Sequence, residues 1–504
     1  MAPDFDKIGL QDFYGGQDGE TGLTFTRKSR LDPRNTVTLN RPLPYIDVQI
    51  YGATGDGTTD DSAAIQAALD AAALNGPKRI VIPYGTYNIE SKIELPNVDM
   101  EIMGSGWPTL NCNGAAAVFE QSNNENLTIF DGLSFTGDGY GISYNMAATT
   151  ANPRHEYRIT NCKFVTDVGV YGIYLYQCQG GVIDRCYFYG PGSGIYTQDA
   201  NQRFIRDCVF YGNSTGQRGI YDEGNTDSSI GSYISNCIFM GWTTAAIEID
   251  KCDDFSIRDS TVDYNGAGSN ILIKGMDGGS ISGCYLGSNS DTLPALSIGD
   301  NAAAVSSQNI RITDNEFTGH PAAGNTYNNM EISSGSNAII ANNVFAFFTK
   351  YGIQYNTYAL MTISGNIFRD HPTLNSTGSI GCTGGDTNTV RIFNNTLDAD
   401  PAVAGNEIHG TTLAMLGSNL YHVVTNKGVV TLNNPDTSYV VTHGCNITPN
   451  VILISRNDME GGAAVNEYSA HSITATQFTI SVDVTPVGGV DFYWYATNST
   501  RALW

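Results

Sequence analysis

Carboxylates and tyrosines recur at matching positions of short apolar segments in the middle of the chain. The segments include "GIYLYQC" at 172, "GIYTQDA" at 194, "GIYDEGN" at 219 and "AIEIDKC" at 246. Alternation predicts strands with isoleucine in the core and the intervening side chains in solvent. On successive strands the outward residues stack into columns about 4.8 Å apart. The first column contains Tyr174, Tyr196, Tyr221, Glu248, Leu272, Ser297 and Glu331, and the second contains Tyr176, Gln198, Glu223, Asp250, Lys274, Gly299 and Ser333.

The carboxylates in these columns predict acid–base chemistry on glycosidic bonds. Glycoside hydrolysis uses two carboxyl groups, one protonated and one ionised. We expect Glu223 one coil from Asp250, and Glu248 roughly 6.5 to 7 Å from Asp250 along one strand. Crowded carboxylates raise one pKa, as a general acid near neutral pH requires. We therefore predict Glu223, Glu248 and Asp250 as the catalytic set, with Asp222 in reserve if "YDEGN" kinks before Glu223. The competing interpretation is that an acidic protein exposes carboxylates on every face.

The aromatic side chains beside these carboxylates predict contacts with sugars. A tyrosine ring offers an apolar face to the C–H side of a sugar, and its hydroxyl bonds the polar rim. Packing under loops or at a contact between subunits is the alternative role for these tyrosines. Lys274 could contact a sugar acid or act as the base of a lyase, although an ion pair with Asp250 is the more ordinary role. The predicted substrate-binding residues are Tyr174, Tyr176, Tyr196, Gln198, Tyr221 and Lys274.

A second repeated sequence motif predicts the scaffold that holds these columns. "ITNCKF" at 159, "IDRCYF" at 183 and "ISNCIF" at 234 share a fourth residue that recurs at spacings of 22 to 31 residues. Such a period indicates a solenoid, and the absence of a helical pattern in the repeat indicates that its coils are strands. We expect the cysteines to be reduced core residues and the asparagines to hydrogen-bond along the stack. The repeated position holds Cys162, Cys186, Cys208, Cys237, Ser260, Cys284, Asn315, Asn343, Asn366 and Asn395.

Three segments differ from this repeat. Residues 1–45 lack periodicity and contain Pro33, Pro42 and Pro44, which predicts an arm or linker. The amphipathic segment "TTDDSAAIQAALDAAALNGP" predicts a helix near 60–75 that caps the open end of a β-solenoid spanning 46–410. Residues 411–504 show alternating strands separated by turn residues, which predicts a separate C-terminal β-sandwich-like domain for trimerisation or glycan binding.

Charge and composition exclude several classes of partner. The chain has 26 basic and 50 acidic residues, a formal net charge of −24 that repels nucleic acids and anionic membrane surfaces. Its start lacks the pattern of a signal peptide, and no apolar run is long enough to span a bilayer. No C-x-x-C pair occurs, and "GDGTTDD" lacks the spacing of a calcium loop. We therefore expect neither a metal site nor another cofactor.

The opening "VQIYGATGDGTTDDSAAIQAALDAA" followed by "RIVIPYGTYNI" resembles pectate-lyase-like right-handed parallel β-helix proteins, especially bacteriophage tailspikes and capsule depolymerases. The resemblance implies an all-β fold, a homotrimer and attachment to the phage tail or baseplate through the N-terminal region. It also implies a location on the virion tail and extracellular action on a bacterial surface polysaccharide. The N-T-D, paired-Asp, G-H-G and R-I-K words of polygalacturonases are absent, which disfavours pectinase activity.

Three functions remain open at this stage. The first is an endo-acting glycoside hydrolase on capsule, exopolysaccharide or O-antigen, supported by the carboxylates. The second is a polysaccharide lyase acting by β-elimination, which needs a base and charge neutralisation around a uronic acid. The third is a non-catalytic adhesin that only holds the glycan.

Overall fold

The structure is a computed structural model. The chain divides into two compact units, Met1–Thr243 and Thr244–Trp504. In the first unit the structure describes residues 14–16, 23–28, 36–41, 45–74, 78–122, 126–145, 156–224 and 231–243. In the second unit it describes residues 244–263, 269–288, 293–299, 307–319, 328–348, 350–369, 378–382, 390–397, 408–409, 415–416, 425–432, 437–442, 449, 451–456, 468–474, 477–483 and 490–497.

Strands dominate the described residues of the first unit, which also contain one α-helix and a short 3-10 helix at Val48–Tyr51. The helix is α1 (Ser62–Leu74). The strands are β1 (Tyr14–Gly16), β2 (Leu23–Lys28), β3 (Thr36–Arg41), β4 (Ile46–Asp47), β5 (Asp56–Asp60), β6 (Arg79–Ile82), β7 (Thr86–Ile89), β8 (Ile93–Glu94), β9 (Met100–Gly104), β10 (Thr109–Cys112), β11 (Ala117–Gln121), β12 (Thr128–Asp131), β13 (Ser134–Gly137), β14 (Tyr140–Asn145), β15 (Tyr157–Thr160), β16 (Lys163–Thr166), β17 (Tyr171–Tyr176), β18 (Gln179–Asp184), β19 (Tyr187–Tyr189), β20 (Ser193–Gln198), β21 (Asn201–Arg206), β22 (Val209–Tyr211), β23 (Arg218–Glu223), β24 (Ser232–Ser235) and β25 (Ile238–Met240).

The described part of the second unit contains strands only. They are β26 (Ala245–Asp250), β27 (Phe255–Arg258), β28 (Thr261–Asp263), β29 (Ser269–Lys274), β30 (Asp277–Ser282), β31 (Tyr285–Ser288), β32 (Leu296–Ile298), β33 (Ser307–Thr313), β34 (Glu316–Gly319), β35 (Met330–Ser336), β36 (Ile339–Ala341), β37 (Val344–Ala346), β38 (Tyr351–Ala359), β39 (Thr362–Ser364), β40 (Ile367–Arg369), β41 (Gly378–Cys382), β42 (Arg391–Phe393), β43 (Ile408–His409), β44 (Met415–Leu416), β45 (Thr425–Leu432), β46 (Ser438–Thr442), β47 (Val451–Arg456), β48 (Tyr468–His471), β49 (Gln477–Val482) and β50 (Val490–Thr497).

Each coil of the first unit contributes one strand to each of three parallel sheets. The first face contains β8, β11, β14, β17, β20 and β23, and the second contains β9, β12, β15, β18, β21 and β24. The third face contains β7, β10, β13, β16, β19, β22 and β25. Strand pairing is in register, so equivalent residues of successive coils become neighbours. The coils of the second unit repeat this three-faced arrangement, and the predicted right-handed parallel β-helix is confirmed.

Stacked identical side chains fill the interior of the coils. On the third face of the first unit, the rings of Phe164, Phe188 and Phe210 lie 4.9 and 4.5 Å apart and nearly parallel. Cys162, Cys186, Cys208 and Cys237 are buried free thiols, and burial raises the pKa of Cys186 and Cys208 well above its usual range. The prediction that these cysteines pack in the core is therefore confirmed.

Asparagines replace cysteines at the last four repeat positions of the second unit, after Ser260 and Cys284. Asn315 donates from Nδ2 to Oδ1 of Asn343 at 3.0 Å, and Asn343 donates in the same way to Asn366 at 3.0 Å. Asn366 in turn donates to Asn395 at 2.9 Å. All of these side chains are buried. The predicted hydrogen-bonded stack is confirmed, and we call it the asparagine ladder.

The predicted capping helix is present as α1, and its side chains form hydrogen bonds with backbone groups of the adjacent coil. Gln66 on α1 accepts a hydrogen bond from the backbone N–H of Glu94 at 2.8 Å and donates to its carbonyl at 3.0 Å. Ser62 Oγ accepts from the backbone N–H groups of Glu90 and Ser91. Side chains of the helix thus satisfy backbone groups that an open end of the solenoid would leave unpaired. The preceding segment, predicted as an arm, contains the antiparallel three-stranded sheet β1-β2-β3.

Two antiparallel three-stranded sheets lie toward the C-terminus, in the orders β45-β50-β47 and β46-β49-β48. Side chains from both sheets form one hydrophobic cluster that includes Leu432, Phe478, Ile480 and Phe492, all fully buried. Aromatic rings also pack within this cluster: the ring centroids of Phe478 and Trp494 are 5.5 Å apart in an edge-to-face arrangement.

Candidate functional site

Four outward tyrosines form a continuous surface on the first face of the first unit. Tyr140, Tyr174, Tyr196 and Tyr221 come from β14, β17, β20 and β23, and we call them the tyrosine strip. Their ring centroids are 5.0 Å apart for Tyr140 and Tyr174, 5.3 Å for Tyr174 and Tyr196, and 5.2 Å for Tyr196 and Tyr221. All four side chains are half-buried, so each ring keeps a solvent-facing surface.

The register predicted from the isoleucines produces this surface. Ile173 pairs with Ile195 and Ile195 with Ile220, which aligns Tyr174, Tyr196 and Tyr221 on the opposite side of the sheet. The glycine before each isoleucine is needed for packing. A Cβ at Gly194 would lie 2.2 Å from the carbonyl oxygen of Gly219 and 2.9 Å from the Phe210 ring. The predicted columns of the first unit are therefore confirmed.

A carboxylate is hydrogen-bonded to the tyrosine strip. The hydroxyl of Tyr196 donates to Oε2 of Glu223 at 2.5 Å, the short length typical of a charge-assisted bond. Burial, and then this hydrogen bond, raise the pKa of Tyr196 far above its ordinary value. Tyr196 therefore stays protonated and holds one carboxylate oxygen of Glu223 in a fixed position. The guanidinium carbon of Arg218 lies 4.7 Å from the centroid of the Tyr221 ring, which places a cation at one end of the strip.

The second predicted column of the first unit is also aligned. Tyr176 pairs with Gln198, and Gln198 pairs with Glu223. These three side chains are half-buried and project from the same sheet face as the tyrosine strip. Apolar rings, an amide and a carboxylate are thus adjacent on one surface, which suits a ligand with both C–H faces and hydroxyl groups.

The reserve candidate Asp222 is wrong as a surface catalyst. Strand β23 continues through Glu223 without a kink, so alternation directs Asp222 to the interior of the coil. Its side chain has no exposed surface, and both carboxylate oxygens are 2.6 Å from Nη2 of Arg203. A carboxylate in this position cannot reach a polysaccharide outside the coil.

The other predicted carboxylates lie in the second unit. Ile247 pairs with Ile271, Glu248 with Leu272 and Asp250 with Lys274, as the predicted columns require. Asp250 is half-buried, whereas Glu248 has no exposed surface. Lys274 Nζ is 2.7 Å from Oε1 of Glu248, so the ion pair predicted for Lys274 with Asp250 is found with Glu248. Assembly of Glu223 with Glu248 and Asp250 into one catalytic set stays a prediction.

Sequence reasoning missed three residues of this surface. Tyr140 begins the strip, and Tyr171 contributes a ring 5.1 Å from that of Tyr196. Both precede a Gly-Ile pair, in "YGISYN" and "YGIYLY", and this shared word could have revealed them. Arg218 precedes the Gly-Ile pair of "RGIYDE" in the same way, whereas its contact with Tyr221 depends on the conformation of the arginine side chain.

Among the residues that the structure describes, no group of three or more His, Cys, Asp or Glu side chains is arranged to hold a metal ion. Within the same residues, no helix has the length and apolar character needed to cross a membrane.

Two family models match the chain. One is described as rhamnogalacturonase A/epimerase, pectate lyase-like, and matches residues 45–272. The other is described as a right handed beta helix region and matches residues 218–397. Together they cover most of the coils of both units.

Relatives with known names match short parts of the chain. The non-secreted LysM effector LysM19 of Penicillium expansum is 40% identical over 88 residues, which are 16% of this chain and 7% of that protein. The mannuronan C5-epimerase AlgE5 of Azotobacter vinelandii is 49% identical over 43 residues, or 8% of this chain and 4% of the epimerase. The chain thus spans less than a tenth of the length of these relatives.

A solved structure extends the similarity over nearly the whole chain. The tailspike protein gp49 from Pseudomonas phage LKA1 is 12% identical, with a TM-score of 0.52, over 90% of this chain and 99% of that one. At this identity the likeness concerns the fold. Coil register, ladders, family models and this structural likeness agree, and the chain has the right-handed parallel β-helix fold of the pectate-lyase-like proteins.

Proposed function

We propose that the protein is a tailspike depolymerase that binds a bacterial surface polysaccharide along the tyrosine strip and hydrolyses its glycosidic bonds. The observation that carries this proposal is the hydrogen bond from Tyr196 to Glu223 within a row of stacked rings. Rings that can contact a sugar and a carboxylate fixed beside them supply a binding surface and one of the two carboxyl groups that glycoside hydrolysis requires.

The tyrosine strip explains binding. Successive ring centroids are about 5 Å apart, so the rings stack on one another and their outer edges and hydroxyl groups form one continuous surface. Sugars can lie along these ring edges while Gln198, Tyr176 and the tyrosine hydroxyls bond their hydroxyl groups. Because the rings are half-buried and stacked on one another, little side-chain entropy is lost when the glycan binds.

The carboxylates explain cleavage. Glu223 and Asp250 are the half-buried members of the predicted set. We propose that one of them is the general acid and the other the general base or nucleophile, and we do not assign which is which. Glu248 completes the set as proposed. It is buried and ion-paired with Lys274, so we assign it a positioning role beside Asp250 rather than contact with the sugar.

The fold and the named relatives are consistent with this assignment. One matching family model describes carbohydrate-active enzymes, and one similar structure is a phage tailspike. We propose that the protein works as a homotrimer on the phage tail, attached through its N-terminal region, outside the bacterium. Light scattering after gel filtration should give three times the mass of one 54.1 kDa chain.

A polysaccharide panel tests the proposed activity. Purified capsules, exopolysaccharides and O-antigens, with polymannuronate and rhamnogalacturonan, are incubated with the protein and with Glu223→Gln. Hydrolysis produces new reducing ends without the ultraviolet absorbance of an unsaturated uronate, whereas β-elimination produces both. The proposal predicts reducing ends alone, from at least one bacterial polysaccharide, and their loss in Glu223→Gln. Unsaturated products would replace hydrolase by lyase.

A glycan-binding adhesin is the second candidate function. The burial of Glu248 in an ion pair favours it, because one predicted catalytic carboxylate is then closed to the substrate. An adhesin would bind a polysaccharide of the panel and release no oligosaccharide from it, and Glu223→Gln would leave the binding intact.

A further inference from the structure

A charged network occupies the interior of the coils directly behind the tyrosine strip. Arg203 Nη2 contacts both carboxylate oxygens of Asp222 at 2.6 Å, and Arg203 Nε donates to Ser232 Oγ at 3.1 Å. Asp222 also accepts hydrogen bonds from Thr197 Oγ1 at 2.5 Å, Ser232 Oγ at 2.9 Å and Ser232 N at 3.0 Å. These four side chains are between 0 and 1% exposed. We call Thr197, Arg203, Asp222 and Ser232 the internal network.

Stability alone does not account for a buried ion pair. Removing an arginine and a carboxylate from water costs several kcal/mol per ion, and the attraction between them often does no more than offset this cost. Apolar side chains of similar volume usually fill such a site at no loss of stability. The equivalent inward residues of the second unit are Ile249, Ile273 and Ile298, each buried, so the coil itself does not require a polar residue there.

The internal network and the outer surface share the same two strands. Thr197 pairs in register with Asp222, and their side chains are hydrogen-bonded on the inner side of β20 and β23. Tyr196 and Glu223 flank this pair in sequence and are hydrogen-bonded on the outer side of the same strands. The outer bond is diagonal, because Tyr196 pairs in register with Tyr221 and Glu223 with Gln198. Its length therefore depends on how far one strand is displaced along the other.

Arg203 and Ser232 fix this displacement from across the interior. They lie on β21 and β24 of the second face, and their bonds to Asp222 join that face to β23. The carboxylate of Asp222 is thereby held by donors from three other strands. A displacement of β23 would stretch all of these bonds together, since none can be exchanged for a bond to water at this depth.

We propose that the internal network is a positioning device that keeps the Glu223 carboxylate against the Tyr196 hydroxyl. Thr197, Arg203 and Asp222 act through strands β20 and β23 and do not touch the substrate. For the rate of cleavage this inference rests on the proposed function, whereas for the position of Glu223 it does not.

Matched substitutions at Thr197 test the device. Thr197→Val keeps the shape of the side chain and removes its donor to Asp222, while Thr197→Ser keeps the donor. Arg203→Met combined with Asp222→Leu replaces the ion pair by apolar side chains. Ile298→Val, an inward change in the second unit, is the control for altered packing.

The first readout is the Tyr196 hydroxyl itself. Proteins carrying 3-fluorotyrosine are compared by fluorine NMR at neutral pH, and Tyr196→Phe identifies the Tyr196 resonance by its loss. Weakening of the bond to Glu223 should shift the Tyr196 resonance in Thr197→Val and in the double variant. Thr197→Ser and Ile298→Val should keep the original chemical shift. If the Tyr196 chemical shift is the same in all variants, the positioning inference is overturned.

The second readout is turnover on a polysaccharide that the original protein cleaves. Thr197→Val and the double variant should lose about tenfold in kcat with little change in KM, at a temperature where circular dichroism shows that they are folded. A shifted Tyr196 resonance in a protein that cleaves nothing in the panel would refute the proposed function and leave the positioning inference standing. If the double variant does not fold, the Thr197 pair still decides between the outcomes.

Discussion

Equivalent repeat positions carry different side chains in the two units. The outward column is aromatic in the first unit, with Tyr174, Tyr196 and Tyr221, and mixed in the second, with Glu248, Leu272 and Ser297. The inward position behind it differs in the same way. It holds Leu175, Thr197 and Asp222 in the first unit, and only isoleucines, Ile249, Ile273 and Ile298, on the matching strands of the second. Polar residues occupy the interior where the outer face has the features of a binding surface, and this coincidence is the basis of the proposed positioning device.

The two ladders show a second difference between the units. Oδ1 of Asn343 accepts from both N and Nδ2 of Asn315 at 3.0 Å, and its Nδ2 donates to Ile312 O at 2.9 Å. Cys208 makes longer contacts, with its Sγ 3.4 Å from Cys186 N and 3.7 Å from Ile183 O. The amide therefore satisfies backbone groups of adjacent coils that the thiol satisfies weakly, and the two ladders should differ in what they contribute to stability.

The largest expected effect concerns the carboxylates on the outward columns. Glu223→Gln should lower kcat at least about a hundredfold, because a general acid or base contributes this much or more. The matched control is Glu331→Gln, at a half-buried outward position of β35 in the second unit. Reducing-end assays on a cleaved polysaccharide give both rates, and circular dichroism confirms that both variants fold. Equal activity of the two variants would remove Glu223 from the mechanism.

The next effect compares the ladders by stability. Asn343→Ala removes a buried side chain that serves Asn315, Ile312 and Asn366, and should lower the free energy of unfolding by about 3 kcal/mol. Cys208→Ala removes one buried sulfur with weak hydrogen bonds and should cost about 1 to 2 kcal/mol. Urea unfolding of both variants gives the comparison. A smaller loss for the asparagine variant would show that the amide ladder is not the stronger of the two.

The scaffold was predictable because its determinants are local and repeated. The repeated sequence motif around Cys162 and Asn343 specifies a turn and an inward-facing residue. Because every copy of the motif has the same geometry, alignment of the copies predicted both the strand register and the ladders. The helix α1 followed from its own periodicity and caps. Such features depend on neighbours in sequence or on exact repetition, and both can be read from one chain.

The site was less predictable because burial there depends on single contacts across coils. Asp222 and Glu223 are adjacent acids, and only the in-register pairing of β23 decides which one faces the interior. Arg203 would be placed in solvent by its type, yet Asp222, distant in sequence, holds it inside. Glu248 lies in the predicted column, but it is buried rather than in solvent, and its pairing with Lys274 follows from side-chain reach rather than from register.

A smaller effect should follow from shortening the tyrosine strip. Tyr174→Ala removes the ring between Tyr140 and Tyr196 and should weaken polysaccharide binding about tenfold, as expected for an aromatic contact. Tyr285→Ala, a half-buried position on the third face of the second unit, is the matched control and should bind normally. Isothermal titration with oligosaccharides, in a Glu223→Gln background that prevents cleavage, measures both. Equal losses in the two variants would place the glycan elsewhere.

The smallest effect is a dependence of stability on alkaline pH. Burial raises the pKa of Cys284 to about 11, whereas an unfolded cysteine titrates near 8.5. Between these two values the unfolded chain loses the thiol proton and the folded chain keeps it, so the free energy of unfolding falls as the pH rises. Below the lower value the contribution of this thiol is complete and constant. Cys284→Ala should therefore be less stable than the original protein at pH 7, and the difference should shrink as the pH approaches 10. Urea unfolding at both pH values measures this change, and a difference that stays constant would mean that the Cys284 thiolate is tolerated inside the coil.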